Sequence, residues 1–363
     1  MTKHEYLSSM KFPSRKQGGF TLVELMVALV LSLLVVAAAI SALLVSRQGF
    51  TSVDAASQMR DNARFATDFI TRLSVQSGFK DLAFINPKQK DGFVVAGAVD
   101  PEPPISGFNN ALIGTDGTDP IGTSSNDSRS GCATAQGTAC ANESDMLILR
   151  YQTGSKFTES ALGGPEVDNA MFNCAGVPQD NTATSSNDFI ESILYVGISS
   201  STQEPTLMCK YRNGDGTTWA NPTPLVSGVE SFQVLYGTDG VVPNTAPVAA
   251  APLGTPPVAG QPDSIPERYL NAKQMVVAGD AAATKENWRR VRSLRIGLIV
   301  RGPAGSAQES IARDYYPFAP QASLSKPPSS TDFSEAKLAI LATDTRVRQV
   351  VTFTVYLHNH QGI

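Results

Sequence analysis

From Phe20 to Val45 the chain reads FTLVELMVALVLSLLVVAAAISALLV, 26 residues with one ionisable side chain and no proline. At about 1.5 Å rise per residue this predicts roughly 39 Å of helix, more than the ~30 Å of a bilayer core. Beyond it, Ala56, Met59, Ala63, Ala66, Ile70 and Leu73 recur at helical spacing, an apolar stripe on an otherwise polar segment. Arg64 with Asp68, and Asp68 with Arg72, are i,i+4 pairs away from that stripe. No proline interrupts before Pro87, and Gly78 is placed to end the helix. The pattern therefore predicts one helix from Phe20 to about Ser77, roughly 87 Å long, with Gly49 as a point where it can bend. Its membrane-spanning part is 20–45 and its amphipathic part 46–78, the stripe packing on a globular domain.

In residues 79–363 the period changes to two. The clearest strand places Val347, Gln349, Val351, Phe353, Val355 and Leu357 on one face, which reads as buried apart from Gln349. Other strands are expected at Met146 to Gln152, Phe189 to Ile198, Leu207 to Arg212, Val229 to Tyr236 and Val291 to Arg301. They are not separated by regular helical units, so the fold class expected is α+β: a long N-terminal helix packed on mainly antiparallel sheet. Residues 99–144, rich in Gly, Ser, Thr, Asn and Asp, and residues 239–268, with seven prolines, read as long loop insertions. Tolerated decoration is the plain reading of these loops, and contact with a partner the sharper one.

Composition narrows the class. Charged residues make up 17% of the chain, and Gly (29) and Pro (23) are spread without a period, which excludes a collagen, a charge-driven disordered chain and a coiled coil. A net charge of −4 offers no global basic field, so no nucleic-acid partner is expected. The charge is uneven, however: residues 1–19 hold Lys3, Lys11, Arg15 and Lys16 against Glu5. A basic start ahead of an apolar run suggests a secretory signal peptide, but the run exceeds the ~7–15 residues of such a core and its Gly18-Gly19 pair stands before it. An ordinary signal anchor accounts for the basic leader but not for Glu24, a carboxylate costing up to about 3 kcal/mol within an apolar helix. Glu24 either reaches the headgroups or has a partner and a function.

Four cysteines, Cys132, Cys140, Cys174 and Cys209, follow the apolar segment. In an exported domain an even count suggests two disulfides in any of three connectivities; Cys132 with Cys140 would close a local loop and leave Cys174 with Cys209 to staple a loop to a strand. No CxxC spacing favours zinc. His358 and His360 offer two metal ligands without an evident third and read as tail residues, and no catalytic or cofactor motif is present. Neither a metal, a cofactor nor an enzyme activity is expected. Asn213-Gly214-Asp215-Gly216 and Thr238-Asp239-Gly240 read as turns. Arg289, Arg290, Arg292, Arg295 and Arg301 form a basic stretch best explained by solvated strand faces and pairing with local carboxylates.

Gly18-Gly19-Phe20-Thr21-Leu22-Val23-Glu24-Leu25-Met26 resembles the type IV prepilin cleavage and methylation motif: a basic leader ending in Gly, then Phe, then Glu at the fifth mature position. The resemblance implies removal of residues 1–19 by a prepilin peptidase that cuts between Gly19 and Phe20, methylation of the Phe20 amine, and retention of the apolar helix. It also implies that Glu24 serves subunit assembly by pairing with the cationic amine of a neighbouring subunit, an attraction strengthened at low dielectric.

A second resemblance, to PilW-type minor pilins, rests on the order of Ser144 to Tyr151, Asn173-Cys174-Ala175-Gly176, Leu207-Met208-Cys209, Pro224 to Asp239, Val291 to Arg301 and the terminal strand. It implies a minor pilin that joins other minor pilins, the major pilin and a tip adhesin in a priming complex at the pilus tip, supporting twitching motility and adhesion. The implied location is a single pass of the inner membrane with a periplasmic carboxyl-terminal domain, then the pilus. A type II secretion minor pseudopilin of the J type is the alternative in the same assembly class. A static membrane-anchored binding protein is the alternative from another class; it would keep its leader and need no Glu24.

Overall fold

A computed structural model describes residues 18–81, 102–111, 113, 142, 144–156, 166–178, 188–212, 218–248, 261–307, 309, 311–318 and 338–359. The chain divides into two units, Met1–Thr51 and Ser52–Ile363. Helix α1, Leu22–Gln76, is continuous through both and passes Gly49 as helix. In the first unit its apolar side chains lie exposed.

In the second unit α1 buries Ala55, Met59, Ala63, Ala66, Ile70, Leu73 and Ser74. The stripe starts at Ala55 rather than Ala56, because Ala55 meets Gly302, where an added Cβ would come within 3.4 Å of it. The helix ends at Gly78 (φ +82°), whose N–H donates to the Arg150 carbonyl at 2.9 Å and where a side chain would strike the Asn359 carbonyl.

Two antiparallel sheets receive that stripe. The first comprises β1 (Ile105–Phe108), β2 (Met146–Tyr151), β5 (Ile190–Ile198), β6 (Pro205–Tyr211) and β7 (Thr223–Ser227), in that spatial order. The second runs in the order β13 (Arg348–Tyr356), β10 (Val291–Arg301), β8 (Val229–Thr238) and β9 (Arg268–Leu270). Small two-stranded pieces, β3 (Ser155–Lys156) with β4 (Glu166–Val167) and β11 (Arg313–Tyr315) with β12 (Leu338–Ile340), lie beside them. The helices α2 (Ala272–Met275) and α3 (Ala281–Arg289) connect β9 to β10. The fold is α+β.

The core gathers Met59, Ile70 and Leu73 of α1, Leu147, Leu149, Leu194 and Leu207 of the first sheet, and Phe232, Val234, Leu294, Ile296 and Leu298 of the second. Met146, Ile148, Ile193, Tyr195 and Met208 form a second cluster on the other face of the first sheet. Burial on both faces explains why β2 reads as a continuous apolar run, not an alternation. β13 does alternate, but it is an edge strand, so only Val355 and Leu357 of its inward face are fully buried while Val347, Val351 and Phe353 are half-buried.

The expected strands are present, Val291–Arg301 with the same bounds and the others with one or both ends shifted by one or two residues. Residues 99–144 are not loop throughout, since β1 lies within them and pairs with β2, and β9 begins at the end of 239–268. Residues 249–260 and most of 112–143 lie outside the described residues.

Candidate assembly site on the amino-terminal helix

Gly18, Gly19, Phe20 and Thr21 precede α1, and all are exposed. Thr21 starts the helix: its Oγ1 accepts from the Glu24 N–H at 3.3 Å, and its carbonyl accepts from the Leu25 N–H at 3.2 Å. Thr21 and Glu24 have the three-residue offset of a capping box, and a carboxylate in the first turn also suits the helix dipole. The residue that is costly in an apolar helix thus stands where the helix itself tolerates a negative charge best. It is exposed, as is Phe20 at 81%.

Further along, the hydroxyls inside the apolar run are satisfied by the helix. Ser32 Oγ donates to the Leu29 carbonyl and Ser41 Oγ to the Ala37 carbonyl, each at 2.9 Å. Polar groups paired in this way suit surroundings without water. No residue of the most apolar stretch of α1 is buried. The arrangement leaves one carboxylate at the head of an uncovered apolar rod, which can bind through packing along the rod and through charge at its end.

The second unit holds the lower half of α1 by polar contacts at both ends. Asn62 Nδ2 donates to the Ser227 carbonyl at 3.1 Å, and Asn359 Nδ2 to the Val75 carbonyl at 2.8 Å. Gln76 Nε2 donates to the Phe172 carbonyl, while the Arg72 guanidinium lies 4.7 Å over the Phe172 ring, so Arg72 turns to an aromatic face. A disulfide between Cys174 and Cys209 (Cα–Cα 5.7 Å) ties this 166–178 segment to β6. Cys132 and Cys140 lie outside the described residues, as do His360 and Asn213 to Gly216; His358 is exposed.

The basic stretch is not solvated, contrary to half of its expected explanation. Arg290 and Arg292 are buried, Arg292 Nε donates to Asp239 at 3.2 Å, and Arg301 pairs with Glu230 at 2.8 Å and with Glu204. Glu230 also takes the buried Arg348, which in turn meets Asp344. That buried cluster went unremarked in the sequence, although a lone Glu inside the apolar β8 run was a signal for it. Asp239, Asp263 and Glu267 come close enough to hold a cation, but Asp239 already accepts from the Asp263 and Ser264 N–H groups and from Arg292. A cleft of about 300 Å³ is lined by Ile311, Arg313, Tyr315, Arg346 and Arg348, and Arg346 and Arg348 are committed to carboxylates.

A family profile described as "Type IV Pilus-assembly protein W" matches residues 193–359, from within β5 through β13, and one described as "Prokaryotic N-terminal methylation motif" matches residues 14–40. Over these residues the chain is similar to the PilW family and carries a prepilin-type methylation motif. The two matches fall on different units, one on the sheets and one on the apolar head of α1 that contains Gly19, Phe20 and Glu24. The family is one of pilus proteins and not of known enzymes, and the methylation motif implies processing by a prepilin peptidase and pilin partners in general. No curated protein matches the chain. Among solved structures, a type IV-like pilin from Thermus thermophilus is similar at 15% identity, with 61% of this chain and 81% of that one covered. Its TM-score is 0.28.

Proposed function

We propose that this protein is a minor pilin that primes type IV pilus assembly and sits at the pilus tip, working with other minor pilins, the major pilin and a tip adhesin, and so supporting twitching motility and adhesion. A prepilin peptidase removes residues 1–19 by cutting between Gly19 and Phe20, and the new Phe20 amine is methylated. The protein then waits in the inner membrane through residues 20–45 with its carboxyl-terminal domain in the periplasm.

The observation that carries this reading is an exposed apolar helix with Glu24 in its first turn, in a chain whose residues 193–359 match the PilW profile. Extraction into the pilus would require the helix to exchange lipid for neighbouring helices. The Glu24 carboxylate would then meet a neighbour's amine where neither ion has water, which fixes axial register because one ion without the other is costly.

Amino-terminal sequencing of purified protein is expected to return methyl-Phe20; an intact Met1 overturns the reading in favour of a static anchor. Glu24→Val and Glu24→Ala are expected to be cleaved and inserted normally but to fall at least tenfold in sheared pilus fractions by immunoblot. Wild-type recovery of either variant would remove Glu24 from the assembly mechanism.

A further inference from the structure

Each of the two large sheets ends in strands with one free side, and three of these four edges are guarded. β1 and β9 are four and three residues long, and β7 carries Pro224 and a shift of register against β6. Short length, proline and irregular pairing are the usual means by which an exposed sheet edge is kept from recruiting other chains. β13 has none of them. It is nine residues long, holds no proline or glycine, and pairs with β10 in unbroken register from Arg348 to Tyr356. Its one charged residue, Arg348, is turned to Glu230 and Asp344.

The bonds at the two ends of this ladder fix its phase. Leu357 N–H donates to the Arg292 carbonyl and Gly302 N–H to the Val347 carbonyl, each at 2.9 Å. Odd-numbered residues of β13 therefore turn their backbone groups to β10, and Val350, Thr352, Thr354 and Tyr356 turn theirs away from the sheet. Among the described residues those four have no backbone hydrogen bond on that side; the bond from Thr352 Oγ1 to the Pro317 carbonyl, at 2.6 Å, is made by the side chain. The apolar layer is unfinished at the same place. Val355 and Leu357 are buried, but Val351 and Phe353, on the same side of β13, are only half-buried against the core.

We propose that the outer edge of β13 is a docking site for an extended strand of another polypeptide, one with apolar side chains at every second position. The strand takes up the outward N–H and C=O groups of Val350 to Tyr356 and lays its apolar side over Val351 and Phe353, completing the second sheet and its core layer together. A second copy of this chain does not fit through the same edge. β13 runs in the same sense as the lower half of α1, since a Cβ at Gly302 would touch Val347 and Ala55 while Asn359 Nδ2 bonds the Val75 carbonyl at 2.8 Å. Two copies joined through this edge by a two-fold axis would pair antiparallel. The lower halves of their helices would then point in opposite directions, which the membrane insertion proposed above forbids.

Hydrogen exchange of the full chain in detergent tests this with a synthetic probe, the peptide Lys-Thr-Val-Thr-Val-Thr-Val-Lys, against a control of the same composition in blocks, Lys-Thr-Thr-Thr-Val-Val-Val-Lys. Without peptide the amides of Val350, Thr352 and Thr354 are expected to exchange at least about a hundredfold faster than those of Val351 and Phe353, which donate to β10. The alternating peptide is expected to slow the outward amides at least about tenfold, and the block peptide to leave them unchanged. Thr354→Pro removes an outward N–H and none of the bonds to β10, and is expected to abolish the effect. Outward amides that are slow without peptide at every protein concentration show an edge already covered and overturn the proposal. Slowing that grows with protein concentration identifies a second copy as the occupant and overturns it as well. So does a missing effect of the alternating peptide, an equal effect of both peptides, or an undiminished effect in Thr354→Pro. Should Thr354→Pro fail to fold, the comparison of the two peptides on the wild type decides.

Discussion

Glu230 is the residue on which the second sheet's charge balance turns. It is 3% exposed and contacts Arg301 and Arg348, themselves linked to Glu204 and Asp344. A carboxylate between two guanidiniums is stable only as a set, because removing one partner leaves buried charge uncompensated. Glu230→Gln is expected to cost about 3 kcal/mol in urea unfolding followed by circular dichroism, more than loss of the exposed Arg64–Asp68 pair, which is worth well under about 1 kcal/mol. Gly107 shows the opposite kind of dependence. It contributes nothing of its own, yet a Cβ there would lie 2.0 Å from the Tyr236 hydroxyl, so its smallness is what lets β8 approach β1. No period or composition marks such a glycine.

Among the elements, α1 was the most legible. Length and apolarity predicted its upper half, and helical spacing predicted which face of the lower half is buried, since both are local properties of one chain segment. The short helices α2 and α3 were missed because their stability comes from caps and packing: Asn271 and Gln274 form a capping box, Asp280 caps α3, and Trp288 packs edge-on to Tyr236 with centroids 4.7 Å apart. The segment of Phe172 and Cys174 is held on α1 and β6 by few backbone bonds, so the disulfide dominates its docking. Replacing Cys174 and Cys209 together by Ser, which opens a loop with a sequence separation of 35, is expected to lower stability by about 3 kcal/mol. Thermal unfolding of the double variant against the wild type, both in detergent, measures it; a loss below about 1 kcal/mol would show that the Gln76 and Arg72 contacts suffice.

For the whole molecule, the two family matches divide the work: an apolar helix head that carries the methylation motif and a sheet-bearing unit that carries the PilW match. The proposed minor-pilin role has a consequence that is measured in cells. Deleting the gene is expected to reduce surface pili at least tenfold in sheared fractions while leaving exoprotein secretion unchanged. Loss of secretion with normal piliation would instead favour a J-type pseudopilin.

What the sequence by itself determined is local: the apolar run, the carboxylate at its head, the amphipathic stripe, and the six principal strands. Each follows from hydrophobic period and chain stereochemistry within one segment. Tertiary structure decided what depends on two distant segments meeting. Strand order is one case, and with it the half-buried state of β13, which is set by its edge position and not by its alternation. The surroundings of Asp145 are another, because a carboxyl next to β2 joins β1, β2 and β8 only when Asn110 and Val234 bring their amides to it. Hydrogen bonding and desolvation act through space, and a period along the chain carries no record of them.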